Sequence, residues 1–261
     1  MTTTTLPHVP GVITADEVVA TATSIAALQL PNGMIPWNTG GHCDPWNHVE
    51  TAIALDIAGL HDEAEHAYRW LVHTQRPDGS WFNYYGADGS VEDAKLDTNV
   101  CAYIASGIWH HWLCTGDRAF VDELWPTVKR ALDWVLTLQT PRGTVLWARE
   151  VDSTPWDYAL LTGSSSIWHA LDCGVHIGRL IGEQQPRWAT AAAALRAAIV
   201  GRPDWFEPKD RWAMDWYYPV LTGALVGAPA KARLAESWDT FALEGKGIRC
   251  VSDEPWVTAP V

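Results

Sequence analysis

Phenylalanine is nearly absent from this chain, with 4 copies in 261 residues, and bases are outnumbered, 18 Lys and Arg against 31 Asp and Glu. The formal net charge is −13 and the bases are scattered singly, which opposes the counterion-releasing contacts that nucleic acids require. Nucleic acid is therefore not an expected partner. Five cysteines, Cys43, Cys101, Cys114, Cys173 and Cys250, form no CxxC pair and are odd in number, against a disulfide framework or a zinc knuckle. They read as reduced, mostly buried thiols. The opening residues MTTTTLPHVPGV have neither the basic nor the apolar region of a secretory signal, and no later run is long enough to cross a bilayer. A cytoplasmic chain without a membrane partner is the expectation. No cofactor motif is present, no metal is assigned (His110–His111 falls in mid-helix), and the sequence sets no oligomeric state.

What is abundant is tryptophan, 17 copies, where an ordinary core would spread its aromatic volume over Phe, Leu and Tyr. Sugar rings present apolar C–H faces that stack on indole, and their hydroxyls seek carboxylates and amides. Trp among Asp, Asn and Tyr thus points towards carbohydrate.

The chain repeats one syntax. Trp70-Leu71-Val72-His73-Thr74-Gln75-Arg76-Pro77-Asp78-Gly79 is echoed by Trp134-Val135-Leu136-Thr137-Leu138-Gln139-Thr140-Pro141-Arg142-Gly143, and in shorter form by Leu28-Gln29-Leu30-Pro31-Asn32-Gly33. In each copy a helix ends in Gln, turns through Pro and Gly, and runs through a short Trp-bearing segment into a polar loop. A first helix opens at the capping box Thr14…Glu17, a second at Asp44-Pro45, and a third runs from His61 to Gln75. The stretches Leu96 to Cys114 and Ser164 to Ile181 carry Ala, Gly, Ser and Cys on every face, as helices buried all round do. They are expected to form an inner ring, and the more charged helices that end in Gln, such as Asp117 to Gln139, an outer one. A fourth hairpin joins Arg187 to Val200 with Trp216 to Val226, and a fifth outer helix spans Ala228 to Ala242. Gly247 to Trp256 then reads as one more loop about to enter an inner helix, with which the ring is left open. The expected fold is all-α, a single-domain α/α toroid of helical hairpins over residues 1–261.

The segment from Trp70 to Trp81, an aromatic, an aliphatic, three residues, Gln, then Gly-x-Trp, resembles the QW clip of the squalene–hopene cyclases, which are also helical toroids. Their DxDD and DDxxD chemistry is missing, and Asp97 with Cys101 lacks the third ligand of a prenyltransferase zinc site. The fuller resemblance is to six-hairpin glycoside hydrolases of the glucoamylase, trehalase and mannosylglycerate-hydrolase type. Gly41 to Ala52, GHCDPWNHVETA, is similar to the stretch in which they place an Asp at the mouth of an inner helix. Arg149-Glu150-Val151 followed by Gly163-Ser164-Ser165-Ser166 is similar to their acid-bearing loop and GSS turn, here parted by an insertion with Pro155-Trp156-Asp157. Ser252-Asp253-Glu254-Pro255-Trp256 falls where they often carry a base. The resemblance implies hydrolysis of an α-linked oligo- or polysaccharide, α-mannan and methylated mannan among the substrates, with inversion.

Such chemistry needs two carboxyl groups across one bond. Asp44, Glu254 and Glu150 are the catalytic candidates, the first as acid and the second as base. Each also has a plain structural reading: Asp before Pro caps a helix, and Glu254 is an acid in a terminal loop. Glu50, Asp97, Asp157, Asp215 and Asp253 are candidate ligands for sugar hydroxyls, with His48, Arg149, Tyr85 and Tyr217. Trp37, Trp46, Trp81, Trp147, Trp156, Trp216 and Trp256 are candidate stacking platforms. Two other readings stay open, a non-catalytic carbohydrate-binding toroid and an isoprenoid enzyme.

Overall fold

A computed structural model describes residues 6–254 and 257–259. Helix α1 (Ala15–Ala26) opens with the expected capping box, the Thr14 hydroxyl accepting from the Glu17 amide while the Glu17 carboxylate accepts from the Thr14 amide. Helices α2 (Pro45–Ile57), α4 (Thr98–Ala102) with α5 (Ile104–Thr115), α7 (Leu161–Ile181) and α9 (Ala213–Leu221) form the inner ring among the described residues. Their faces meet in sequence, α2 on α5, α5 on α7 and α7 on α9. Outside them lie α3 (His61–Thr74), α6 (Arg118–Val135), α8 (Pro186–Gly201) and α10 (Gly227–Phe241). The first three inner units and the outer helices beside them share one continuous apolar core, and α9 with α10 close a smaller cluster around Trp216 and Phe241.

Two expectations need correction. The inner helix read from Leu96 begins two residues later, because the Asp97 side chain caps α4 by accepting from the Asn99 and Val100 amides at 2.9 and 3.2 Å. It is also divided at Tyr103, whose right-handed backbone (φ −68°, ψ −20°) lets α5 continue from α4. The segment after α10, read as a loop about to enter a helix, is instead an antiparallel arrangement of Ala242–Leu243, Gly247–Arg249 and Val257–Ala259. Short pairings also tie the loops: Leu96–Asp97 with Ala148–Arg149, and Tyr84–Tyr85 with Val91–Asp93.

The repeated Gln is what joins one outer helix to the next. The Gln29 amide donates to Gly33 O at 3.2 Å and Glu63 O at 2.9 Å; Gln75 to Gly79 O and Thr127 O, both at 3.0 Å; and Gln139 to Gly143 O at 3.1 Å and Ala191 O at 3.0 Å. One N–H fixes the turn of its own helix and the other bonds a carbonyl of the following outer helix, so the three clips set α1 on α3, α3 on α6 and α6 on α8. The turn glycine completes the clip. At Gly79, with φ +98°, an added Cβ would stand 2.4 Å from the Arg130 carbonyl oxygen, and at Gly33 2.3 Å from that of His66.

Replacing Gln139 by Ala strands two carbonyl acceptors and is expected to cost about 2 kcal/mol in urea denaturation, at about 1 kcal/mol for each bond. Gly79→Ala combines a left-handed backbone with a backbone clash and is expected to cost at least as much, about 2–3 kcal/mol. A loss under about 0.5 kcal/mol for both would show that the clips are incidental.

Candidate active site

The inner helices all open at one rim. Trp46, in the first turn of α2, lies 5.8 Å from Tyr103 at the end of α4 and 6.1 Å from Tyr218 of α9, between ring centroids. Asn99 of α4 is close to Gly163 of α7, and the Thr162 hydroxyl donates to Asp215 Oδ1 at 3.1 Å, joining the starts of α7 and α9. The strand segment around Val251 bridges to Trp212, and the Ser252 amide donates to Arg211 O at 2.9 Å, which lays this segment along the loop that feeds α9. Asp44, Asp97 and Asp215 thus arrive at one end of the ring, and Glu254 is exposed in the segment that follows Ser252.

Asp44 is buried at the α2 N-terminus, and every contact it makes is with a donor. Its Oδ1 accepts from the Asn47 amide at 2.9 Å, and its Oδ2 from Asn47 Nδ2 at 2.7 Å and Trp37 Nε1 at 2.8 Å. Capping and a site at the rim are therefore one arrangement, since Trp37 is half exposed and holds the carboxylate from the solvent side. Two further rim acids take an indole N–H in the same way: Trp147 donates to Asp97 Oδ2, and Trp156 to Glu150 Oε1 at 2.8 Å.

Deeper in the ring, Glu50 stands one turn below Trp46 on the same face of α2. Burial raises its pKa, opposed by the Tyr103 hydroxyl, which donates to Glu50 Oε1. Burial likewise raises Asp215, opposed by its bond from Thr162. Tyr103 and Tyr218 are pushed far up by burial and by the Glu50 charge, so both remain phenols, and Tyr103 donates to Glu50. Trp46 Nε1 and Asn99 Oδ1 are buried here without a hydrogen-bond partner. The throat thus combines carboxyls that retain protons above the ordinary range with unpaired polar atoms, and can exchange protons with a bound polar ligand. A cavity of about 360 Å³ opens beside it between α9 and α10, lined by Asp210, Trp212, Asp215 and Arg233 among others.

Several residues read as ligands from the sequence turn away from the rim. Trp81 is fully buried, its indole donating to Leu71 O at 2.9 Å, because it closes the Gln75 clip. His48 is buried with Nδ1 accepting from the Ile35 amide at 3.2 Å and Nε2 bonded to Ala67 O at 2.8 Å; burial pushes its pKa down to about 4, so it is a neutral structural ring. The buried Tyr85 hydroxyl accepts from the Phe82 amide at 3.0 Å. Trp216 is buried, stacked on Phe241 at 5.3 Å and donating to Arg233 O, and lines the cavity between α9 and α10. Arg149 is clamped between the Trp134 ring, 5.1 Å away, and the Asp78 carboxylate at 2.9 Å. Asp253 pairs with Arg211 at 2.8 Å, pointing along the surface. Asp157 is exposed, Tyr217 is half-buried against Tyr218 at 5.4 Å, and Trp256 lies outside the described residues.

Sequence reasoning missed Tyr103 and Lys95. Tyr103 is the one bulky polar side chain in the small-residue run from Cys101 to Gly107 apart from the aliphatic Ile104, and that contrast was available as a signal. Lys95 lies 4.3 Å from the centroid of Trp147 and 4.0 Å from Asp97 Oδ2, a cation at an acidic rim that no motif marks.

No family model matches the chain. It is 50% identical over 253 residues to the "MMP endo-(1,4)-3-O-methyl-alpha-D-mannosidase" of Mycolicibacterium hassiacum, a match that covers 97% of this chain and 70% of the relative. Among solved structures, the cellobiose 2-epimerase of Spirochaeta thermophila matches with a TM-score of 0.65 at 14% identity, over 86% of this chain and 69% of that one. The rhamnosidase of Klebsiella oxytoca matches with a TM-score of 0.61 at 14% identity, over 88% of this chain, which spans 49% of the rhamnosidase. These two likenesses establish the α/α toroid and nothing of the chemistry. Identity at half of all positions along nearly the whole chain is different in kind, and by it the chain belongs to the family of the mycobacterial endomannosidase, a glycoside hydrolase family.

Proposed function

We propose that the chain hydrolyses internal α-(1,4) linkages of a 3-O-methylated mannan, with inversion, using Asp44 as the acid and Glu254 as the base. The substrate follows from what the Mycolicibacterium relative is named for. The observation that supports the site is the shared rim, where the inner helices carry Asp44, Asp97 and Asp215, with the exposed Trp37 bonded to the first and Val251 and Ser252 paired to the loop that feeds the last. A partly methylated sugar is more apolar than mannose itself, and it suits a rim whose acids are flanked by the indoles of Trp37, Trp147 and Trp156. In this reading a proton passes from the Asp44 carboxyl to the departing glycosidic oxygen. The Glu254 carboxylate takes one from the water that attacks the anomeric carbon on the opposite face.

A second assignment of the acid has its own support. All three contacts of Asp44 are N–H donors, an arrangement that serves a carboxylate, whereas burial raises the pKa of Glu50. Leaving-group chemistry separates the two. The variant that lacks the acid is expected to lose about 10²–10⁴-fold in kcat on the natural glycan but little on a glycosyl fluoride, whose departure needs no protonation. Asp44→Asn is expected to show this pattern and Glu254→Gln to lose activity on both substrates. If Glu50→Gln alone shows the fluoride pattern, the acid is Glu50. If all three variants keep their activity on methylated mannan, the rim is not the site. Proton NMR of the first-formed anomer checks inversion.

Glu50 also makes a prediction for stability. Because its pKa is raised in the fold, the stability linked to it is fully present below the unfolded value and is lost as pH rises through the folded one. Glu50→Gln is neutral throughout and keeps an acceptor for Tyr103. Its Tm relative to the native protein is therefore expected to increase between about pH 4 and pH 8. A difference that stays flat or falls would show that Glu50 is not held in a desolvated site.

A further inference from the structure

At the far end of α2 lies a second cluster of polar side chains. Asp56 is completely buried, and its carboxylate meets two imidazoles: His61 Nδ1 at 2.9 Å from Oδ1, and His111 Nδ1 at 2.9 Å from Oδ1 and 3.1 Å from Oδ2. One donor atom from each residue lies within 4.8 Å of the other two. The three come from α2, α3 and α5, and Asp56 is 12 residues past Asp44, about 18 Å along the helix at 1.5 Å per residue. The cluster is therefore separate from the rim.

Hydrogen bonding alone leaves this group incompletely satisfied. If both Nδ1 atoms donate to Asp56, the second nitrogen of a neutral His111 is a lone pair, and that Nε2 is fully buried without a hydrogen-bond partner. The nearest charged atom to it is itself an acceptor, Glu65 Oε1 at 3.9 Å, held by Arg69 at 3.0 Å. The Tyr68 hydroxyl, whose ring stands 5.9 Å from His111, is also buried and unpaired. We infer that Asp56, His61 and His111 form a binding site for a first-row divalent transition-metal ion, zinc being the best fit to two imidazoles and one carboxylate.

Coordination through Nδ1 moves the proton of each imidazole from Nδ1 to Nε2, and that of His111 then faces the Glu65 carboxylate. This is the outer partner that a metal-bound imidazole ordinarily has. No bond other than N–H is broken, and a neutral imidazole supplies the lone pair. Tetrahedral ligands at zinc distances stand about 3.3 Å apart, so the 2.9 Å contacts need only open slightly. Entry is through His61, whose side chain is 36% exposed. A bound ion would staple an outer helix to two inner ones at the end of the ring opposite the sugar rim.

The test uses the untagged full chain after treatment with chelator, without substrate. Titration with Co²⁺ is expected to give a visible d–d band that saturates at one equivalent and is abolished by Zn²⁺, and Zn²⁺ is expected to raise Tm by several degrees. His61→Ala, at a partly exposed position where folding should survive, is expected to lose both signals, whereas His73→Ala, on the exposed face of α3, should keep them. Absence of a saturable band in the native protein, or a band that persists in His61→Ala, would overturn the site and leave a hydrogen-bonded staple.

Discussion

The amide of a single glutamine, shared between its own turn and the next outer helix, is the constraint on which the rest of the structure depends. Gln29, Gln75 and Gln139 each spend both N–H groups on backbone carbonyls, and the glycine four residues on lets the neighbouring helix approach without a Cβ in the way. A helical ring has no sheet to fix the spacing of its parts. The clips supply that spacing, and because each fixes the end of an outer helix, they also fix where the next loop begins. Inner helices that start from equivalent loops start at equivalent heights, which is why their N-terminal acids share a rim.

The same regularity decided what could be read from the sequence. Gln-x-Pro-x-Gly repeats between helical stretches identify hairpins, and Asp before Pro at an inner helix identifies a cap, so the toroid and the position of Asp44 were legible, whereas Asp97 read as lying inside its helix. The direction in which a loop side chain points was not. Trp81 and Trp147 occupy similar places in successive loops, yet one closes a clip inside the core and the other bonds Asp97 at the rim. His48 is likewise four residues from Asp44, but the helix turns it onto Ala67 and away from the opening. Asp56, His61 and His111 were beyond reach for another reason: His111 is 55 residues from Asp56 and meets it only once α2 and α5 are packed.

The rim also shows why acids at this end tolerate burial. Asp44 and Asp97 lie at helix N-termini, where free amides and the helix dipole favour negative charge, and each accepts an indole N–H as well, although at Asp97 burial still outweighs these donors and raises the pKa. Glu50 has neither advantage. It sits inside α2, where burial raises its pKa and the bond from Tyr103 opposes that shift.

The same donors explain the excess of tryptophan over phenylalanine better than stacking alone. Trp37 and Trp147 bond Asp44 and Asp97 at the rim, and in the outer layer Trp125 and Trp188 bond Glu183 and Asp133 at 3.0 and 2.9 Å. Phenylalanine would fill much the same space and leave each of these carboxylates short of a donor. An indole tied by its N–H to a fixed acid can no longer swing about its side-chain bonds, so its ring is already oriented before a ligand arrives. At the rim this couples the two groups: the bond that holds the carboxylate in place also holds the flat surface beside it, and in the proposed reaction a sugar stacked on the ring would meet the acid at a preset distance.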